Sequence, residues 1–539
     1  MGEATTVDGI VLGAGHNGLI LQAYACMAGL EVVALERRDE AGGALTTVEH
    51  ADRPGFRHNT HAFFHRAVTT LPWYRDLELE RHGLRYLEPE RNVVMVLKDG
   101  RALEWWTDLE RTAASFAAFS RRDAETLRRW HDRFRPVVER ILIPEATSPP
   151  LPAERRRETL GRTAEGRLLL ETSRLSPQTF VMQEFEHPAI QAGLLFFNGL
   201  REVDLRLEGF GHHIPALLAS PAKAQMAVGG SRSLADALIR AVEDHGGRVR
   251  TGTEPRRIVV ENGRAAAVET TSGEVIRARS FIASSLNPQQ TFLDLLAPGD
   301  VPHAIRERAE GFRYNLLAPL FALDLALDEP PAYQALDPAA PPPFMVILGL
   351  DHVDQFEEIV RHHAAGTIPP TVMWGACPTL FDPSQAPPGR HTAFMWEKLP
   401  YRVAGDARNW DRLKDDHARA MLDLWRSHAP NLERAVLASM VRSPLDTERA
   451  FPNMRGGDLL VGAFAGGQVG DGRPFPGAGQ YRTPLPGLYL CGSCCHPGGN
   501  VTGLPGYNAA QVLMQDLGRR PDWLPPPLER RLEATRGRA

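Results

Sequence analysis

Apolar and polar positions switch from a strand pattern to a helix pattern and back within the first 36 residues. Gly9-Ile10-Val11-Leu12 is a continuous apolar run, as in a strand buried on both faces. Leu19, Ile20, Ala23, Tyr24 and Met27 then recur at helical spacing, and Gly29 marks a stop. Glu31-Val32-Val33-Ala34-Leu35 predicts a second strand. Further along, Leu109–Phe119, Asp123–Ile143 and Leu234–His245 carry helical patterns. Strands are predicted at Arg248–Arg250, Ile258–Val260 and Ala265–Thr270, with Asn262-Gly263 as a hairpin turn. Near the end, Leu488-Tyr489-Leu490 predicts a short strand, and a helix follows through Asn508, Ala509, Ala510, Val512 and Leu513. Asn315–Leu327 comes nearest to a membrane span, but Pro319 and Asp324 interrupt it, so a buried strand is expected.

Between the first strand and helix stands Gly13-Ala14-Gly15-His16-Asn17-Gly18, a G-x-G-x-x-G loop. Gly13 permits the tight turn, Gly15 lets the backbone approach a diphosphate, and Gly18 lets helix and strand pack closely. The backbone N–H groups of His16 and Asn17 then sit at the positive end of the helix, where an anion binds. Glu36 closes the second strand 18 residues after Gly18, where a carboxylate takes ribose hydroxyls. Strand, glycines, helix, strand and acid in one register predict a dinucleotide site.

The next residues favour FAD. Arg37 and Gly42-Gly43-Ala44-Leu45 continue the site with a second glycine pair, which an extended cofactor requires and a simple nicotinamide site does not. At the far end, Gly492 and Ser493 follow the short strand, and Val501-Thr502-Gly503 open the last long helix. A helix start there would direct its positive end at a ligand and favour negative charge on a reduced flavin ring.

The order of elements predicts an α/β fold: a Rossmann-like FAD-binding domain with an inserted mixed α+β substrate domain. Residues 1–70, 222–300 and 455–520 are expected to form the discontinuous FAD-binding domain, and 71–221 and 301–454 the substrate domain. Pro-rich breaks at 148–152 and 341–343 punctuate the insertions. Residues 521–539, with Pro525-Pro526-Pro527, are expected to form a loosely held C-terminal tail.

Composition narrows the partners. With 43% hydrophobic and 24% charged residues and a net charge of −5, the chain reads as soluble and globular, without a nucleic-acid surface. No signal peptide is visible before the first strand, and five cysteines, an odd number, imply no disulfide framework; a reducing cytoplasm fits. There is no G-x-S-x-G elbow, P-loop lysine or H-E-x-x-H helix, so hydrolase and kinase readings lack support.

The motifs together resemble the phytoene desaturase-like flavoproteins of the glutathione-reductase and amine-oxidase superfamily. The resemblance rests on the glycine loop with Glu36 and Gly42-Gly43, on Gly229-Gly230 before Leu234–Leu238, and on Cys377-Pro378 with Asp382-Pro383-Ser384 and His391. Its most specific part runs from Gly456-Gly457-Asp458 through Arg473-Pro474, Tyr481–Pro484 and Leu488–Gly492 to His496–Gly499 and Gly503. The resemblance implies a glutathione-reductase-like FAD fold with the flavin ring facing a cavity under the substrate domain. It implies hydride transfer from an organic, apolar substrate to flavin N5; whether oxygen, a quinone or another acceptor reoxidises the flavin is not written in the sequence. It also implies an adenine contact at Pro255, although proline lacks the N–H that this contact uses. Peripheral membrane contact stays open.

Two further groups invite chemistry. His58, His61 and His65 follow the second glycine pair, and His58 and His61 are substrate-pocket candidates, with polar cavity lining or surface as the plainer reading. Cys491-Gly492-Ser493-Cys494 matches C-x-x-C, yet small buried fillers are the reading favoured for Cys491, Cys494 and Cys495. The rival functions are a non-redox isomerase or cyclase using reduced FAD, and a non-enzymatic carrier of apolar groups. The intact glycine loop and Glu36 argue against the carrier.

Overall fold

The structure, a computed structural model, describes residues 5–196 and 204–534. Seven strands form its first sheet: β1 (Thr6–Leu12), β2 (Val32–Leu35), β3 (Arg248–Arg250), β4 (Pro255–Glu261), β5 (Arg264–Thr270), β6 (Val275–Ser284) and β7 (Leu488–Leu490). β3, β2, β1 and β6 lie side by side and parallel. The outer edge of β6 is divided. Its first residues pair antiparallel with β5, and Ile282–Ser284 pair in parallel with Leu488–Leu490 of β7. β4 and β5 form the expected hairpin, with Asn262 at φ 51° and Gly263 at φ 71°. Two left-handed residues are what a type I′ turn needs.

Three helices cover this sheet: α1 (His16–Met27), α2 (Arg232–Asp244) and α3 (Leu504–Asp516). α1 packs against both others and buries every residue from Asn17 to Cys26, so its sequence is apolar almost all round. Gly29, at φ 77°, ends it as expected. The predicted helices at 109–119 and 123–143 occur as Leu109–Ala117 and Arg121–Val137. The second continues through a wider turn at Val138–Leu142 into Ile143–Ala146.

The second sheet also has seven strands, in the order Val436–Arg442, Leu320–Leu327, His391–Lys398, Met373–Ala376, Met345–Leu348, Arg91–Val96 and Ala102–Trp106. Leu320–Leu327 is buried throughout, as the apolar run predicts. Leu320 and Ala322 face one core with Phe394 and Trp396, while Phe321, Leu323 and Leu325 face another with Met395 and Trp410. Asp324 is the exception in this strand. Arg442 pairs with it at 2.9 Å, yet burial still holds its carboxyl above the usual range.

Two segments pack differently from the expectation. Trp73, Leu77, Leu79 and Leu84 join the core of the first sheet, so chain just beyond residue 70 supports the cofactor side. Of the expected tail 521–539, residues 521–534 pack on the protein and 535–539 lie outside the described residues. Trp523 sits 4.4 Å from the Tyr24 ring, Leu528 and Leu532 are buried, and Arg531 donates to Thr147 Oγ1 at 2.9 Å. Its few apolar residues are spaced to insert between helices, which outweighs the proline-rich composition. Among the described residues no helix is long and apolar enough to cross a membrane.

Candidate dinucleotide site

The carboxyl ends of β1, β2 and β6 meet at one edge of the first sheet, the place where parallel sheets open a crevice. The glycine loop begins there. Gly13 has φ 84°, and a Cβ on it would lie 2.6 Å from Ser285 Oγ. A Cβ on Gly18 would lie 2.3 Å from Gly13 O, so α1 can start this close to β1 only with glycine there. Gly43 comes up to Gly15 so closely that a Cβ on it would be 3.1 Å from Gly15 Cα. Gly42 N donates to Ala14 O at 2.8 Å and fixes this approach. The two glycine turns therefore make a backbone-walled cleft.

Glu36 is almost fully buried at the end of β2. Its carboxylate accepts from Ala14 N and Arg38 N, each at 3.1 Å, so one side chain ties the first glycine turn to the second. Ser285, just past β6, donates to Leu12 O at 2.8 Å and Gly13 O at 2.9 Å, fixing the loop from the other side. Asn17 Nδ2 donates to Ser493 Oγ at 3.1 Å and joins α1 to the loop after β7. Burial pulls the His16 imidazole down to about 4, and its Nε2 and Asn17 Oδ1 are buried without a hydrogen-bond partner among the described residues.

These groups line a cavity of about 350 Å³. Of the residues singled out from the sequence, Gly13, Gly15, His16, Asn17, Gly18, Glu36, Arg37, Gly43, Ala44, Pro255 and Ser493 are on its wall. Gly42 and Leu45 stand behind, with Leu45 N donating to Gly42 O at 3.2 Å. Gly492 packs on Ser285, where a Cβ would meet the carbonyl oxygen at 2.2 Å. Val501, Thr502 and Gly503 are off the wall. Trp73 Nε1 donates to Thr502 O at 2.7 Å, and Gly503, at φ 63°, abuts Ile20 and Trp73.

The histidines are also elsewhere. His58 packs edge-on against His50, and burial pulls it down to about 3. His61 bonds Thr60 Oγ1 and Thr447 Oγ1, with its ring 4.9 Å from Phe451, so it is one residue behind the cavity wall. Burial pushes it well below its usual range. His65 meets the Tyr86 hydroxyl at 2.7 Å. All five cysteines are free and buried. Cys494 Sγ and Cys495 Sγ lie 3.9 Å apart, and burial raises the Cys495 thiol well above its usual range.

The wall contains residues the sequence reading missed: Ser285, Leu286, Gln290, Leu295 and the stretch Ala450–Met454. Ser285 follows β6, a strand not predicted from the sequence, so no strand end pointed to it. Ala450–Met454 follows the short helix Pro444–Ala450 and reaches the site by tertiary packing, which no periodicity shows.

Parallel strands, a crowded glycine cleft and an acid at the end of the second strand define a dinucleotide-binding protein. The chain belongs to the flavin containing amine oxidoreductases, whose family pattern it matches over residues 26–513. It is 31% identical to a limonene dehydrogenase polypeptide of Castellaniella defragrans, covering 98% of each chain. It is 25% identical to hydroxyneurosporene desaturase of Cereibacter sphaeroides, over 95% of this chain and 98% of the relative. Among solved structures, putrescine oxidase bound to putrescine aligns with a TM-score of 0.61 at 13% identity, over 96% of this chain and 100% of that one. That likeness concerns the fold. The protein is an FAD-dependent oxidoreductase. The cleft fits that cofactor: Gly15 and Gly43 meet with no side chain to fill the cavity beside them, and unpartnered polar atoms of His16 and Asn17 are on the same wall.

Proposed function

We propose that the enzyme dehydrogenates an apolar organic molecule, with FAD held along the cavity just described. The observation that carries this reading is the approach of Gly43 to Gly15, which keeps side chains off both glycine turns where a diphosphate would lie. In this reading Gly13, Gly15 and Gly18 receive the diphosphate, Glu36 the ribose, and Pro255 with its neighbours the adenine. Ala44 faces the cofactor, Gly42 and Leu45 support the second turn from behind, and Gly492, Val501, Thr502 and Gly503 border the flavin end beyond the wall of this cavity. Bound there, FAD supplies a two-electron acceptor for hydride.

The remaining chemistry belongs to the chain. Asn17 and Ser493 hold two loops in one orientation, and His16 stays neutral near pH 7, so it offers a hydrogen bond without a charge. Leu286, Phe451, Pro452, Met454 and Val461 make the wall apolar and keep water away. That wall, and the full-length similarity to a limonene dehydrogenase polypeptide, support a hydrophobic substrate. We assign residues 1–70, 222–300 and 455–520 to the FAD-binding domain, because every strand of the first sheet falls within them. We assign residues 71–221 and 301–454 to the substrate domain, from which Trp73, Leu77, Leu79 and Leu84 and the stretch Ala450–Met454 reach across to the cofactor side. Oxygen or a quinone takes the electrons, and five free cysteines support a cytoplasmic site.

The test is spectroscopic. The purified protein should show oxidised flavin bands, and anaerobic addition of limonene or a related hydrocarbon should bleach them. A colourless protein that takes up no added FAD overturns the reading. A flavin that stays oxidised with every donor, yet supports conversion once reduced beforehand, replaces it with an isomerase or cyclase.

A further inference from the structure

Arg473 carries a charge into the interior beside the cofactor cavity. It is 1% exposed, and its guanidinium meets backbone carbonyls. Nη1 donates to Ala463 O at 3.1 Å and Gln468 O at 3.3 Å, and Nη2 donates to Gly462 O and Ser493 O, each at 3.2 Å. The Phe464 ring stacks on it at 4.3 Å. A guanidinium has one further N–H, at Nε. That atom is buried without a hydrogen-bond partner among the described residues, and Gly498 faces it, where a Cβ would lie 3.7 Å away.

None of these hydrogen-bond partners is a carboxylate. Asp458 is the acid whose charge Arg473 feels. It is fully buried and accepts from Asn315 N, Leu460 N and Gly462 N, each at 2.8 Å, so backbone donors hold it in place of the guanidinium. Burial also holds its carboxyl above the usual range, which favours the neutral acid. The other groups that act on Arg473, Cys494 and Cys495, are buried free thiols. Burial lowers Arg473 too, but arginine starts so high that it stays charged. A buried cation met only by carbonyl dipoles is costly, and such groups concentrate where function uses them.

Ser493 is on the wall of the cofactor cavity, and Gly462 follows Val461, which is on it too. One guanidinium therefore joins two wall loops from behind. Hydride transfer delivers two electrons and one proton, so it leaves one negative charge on the acceptor. A fixed cation beside the acceptor stabilises the reduced state more than the oxidised one. We propose that Arg473 is a positioning residue for hydride acceptance: from behind Ser493 and Gly498 its charge makes the flavin end electropositive and raises the reduction potential of bound FAD. The inference rests on the reading above, which puts the flavin end beside Gly492.

Anaerobic reduction of the FAD-loaded full chain against reference dyes gives the potential. Arg473→Met should lower the equilibrium constant for flavin reduction at least about tenfold, about 30 mV for a two-electron couple. Arg473→Lys keeps the charge but cannot reach four carbonyls, so it should stay within about threefold of the unmodified protein. Cys494→Asp puts a carboxylate beside the guanidinium and leaves the carbonyl bonds in place, so it should lower the constant about as much as Arg473→Met. Arg473→Met removes a staple between loops, and Cys494→Asp carries the test if that variant loses its flavin. Equal shifts in the lysine and methionine variants would mean that packing, not charge, sets the potential, and would overturn the proposal. So would an unchanged potential in Cys494→Asp. Failure of the site reading itself shows elsewhere, as undiminished FAD affinity in Gly43→Ala.

Discussion

Gly43 has no room for a side chain. At φ 60°, with a Cβ position 3.1 Å from Gly15 Cα, even alanine would part the two glycine turns. Gly43→Ala should raise the FAD dissociation constant at least about tenfold in a fluorescence titration, with unchanged far-ultraviolet circular dichroism. Glu36 acts on the same cleft through its two accepted hydrogen bonds. Glu36→Ala leaves the Ala14 and Arg38 N–H groups without that acceptor, which costs about 1–3 kcal/mol and should appear as a lower midpoint in urea. Such residues were legible in the sequence because backbone geometry or a fixed offset demands them. Ser285, Trp73 and Phe451 were not, because each contributes through a neighbour more than 100 residues away or through a packing contact no local pattern records. The cysteines of the C-x-x-C match are buried, as the favoured filler reading expects: a motif states spacing, whereas reactivity needs a thiolate. Burial pushes Cys491 above its usual range and Cys26 up to about 11. The native protein should therefore react with a thiol reagent at pH 8 only as fast as it unfolds. Rapid labelling of any cysteine would contradict that burial.

At the scale of elements, local chemistry was read most reliably where a turn or periodicity decides the outcome. The Asn262-Gly263 hairpin is such a case, and Gly263 has nothing within 4 Å of its Cβ position. Gly263→Ala therefore meets conformational cost alone, about 1 kcal/mol, and should lower the melting temperature without altering the flavin spectrum. Boundaries were less legible. Val138–Leu142 keeps one long helix going through a wide turn, and the C-terminal helix Leu528–Ala534 exists because Leu528 and Leu532 find a core. In both cases tertiary contacts override what composition suggests.

Across the whole molecule, several buried histidines are held neutral. Burial pulls His16, His363 and His496 down to about 4, and His58, His65 and His212 to about 3. Their folded values lie below the unfolded value near 6.5, so the unfolded chain takes up protons first as pH falls. Their contribution to stability is complete above about pH 6.5 and is lost through about pH 4 to 3. Asp324, Glu397 and Asp458, whose carboxyls burial holds above the usual range, act in the opposite sense but are fewer. Melting temperature should fall steadily between pH 6.5 and 4, and a flat profile would contradict the neutral state of these imidazoles.

The divided edge of β6 also sets an order of events during synthesis. Its partners β1 and β5 are complete by residue 270, but β7 follows at 488–490. A ribosome must therefore release more than 200 further residues before the sheet gains its last parallel strand and Ser493 reaches Asn17. Until then the emerging polypeptide has a glycine cleft open on one side, and cofactor loading becomes a post-translational event. Nascent chains stalled before residue 480 should be colourless however much FAD the cell supplies, whereas release of the full chain should fix the cofactor at once.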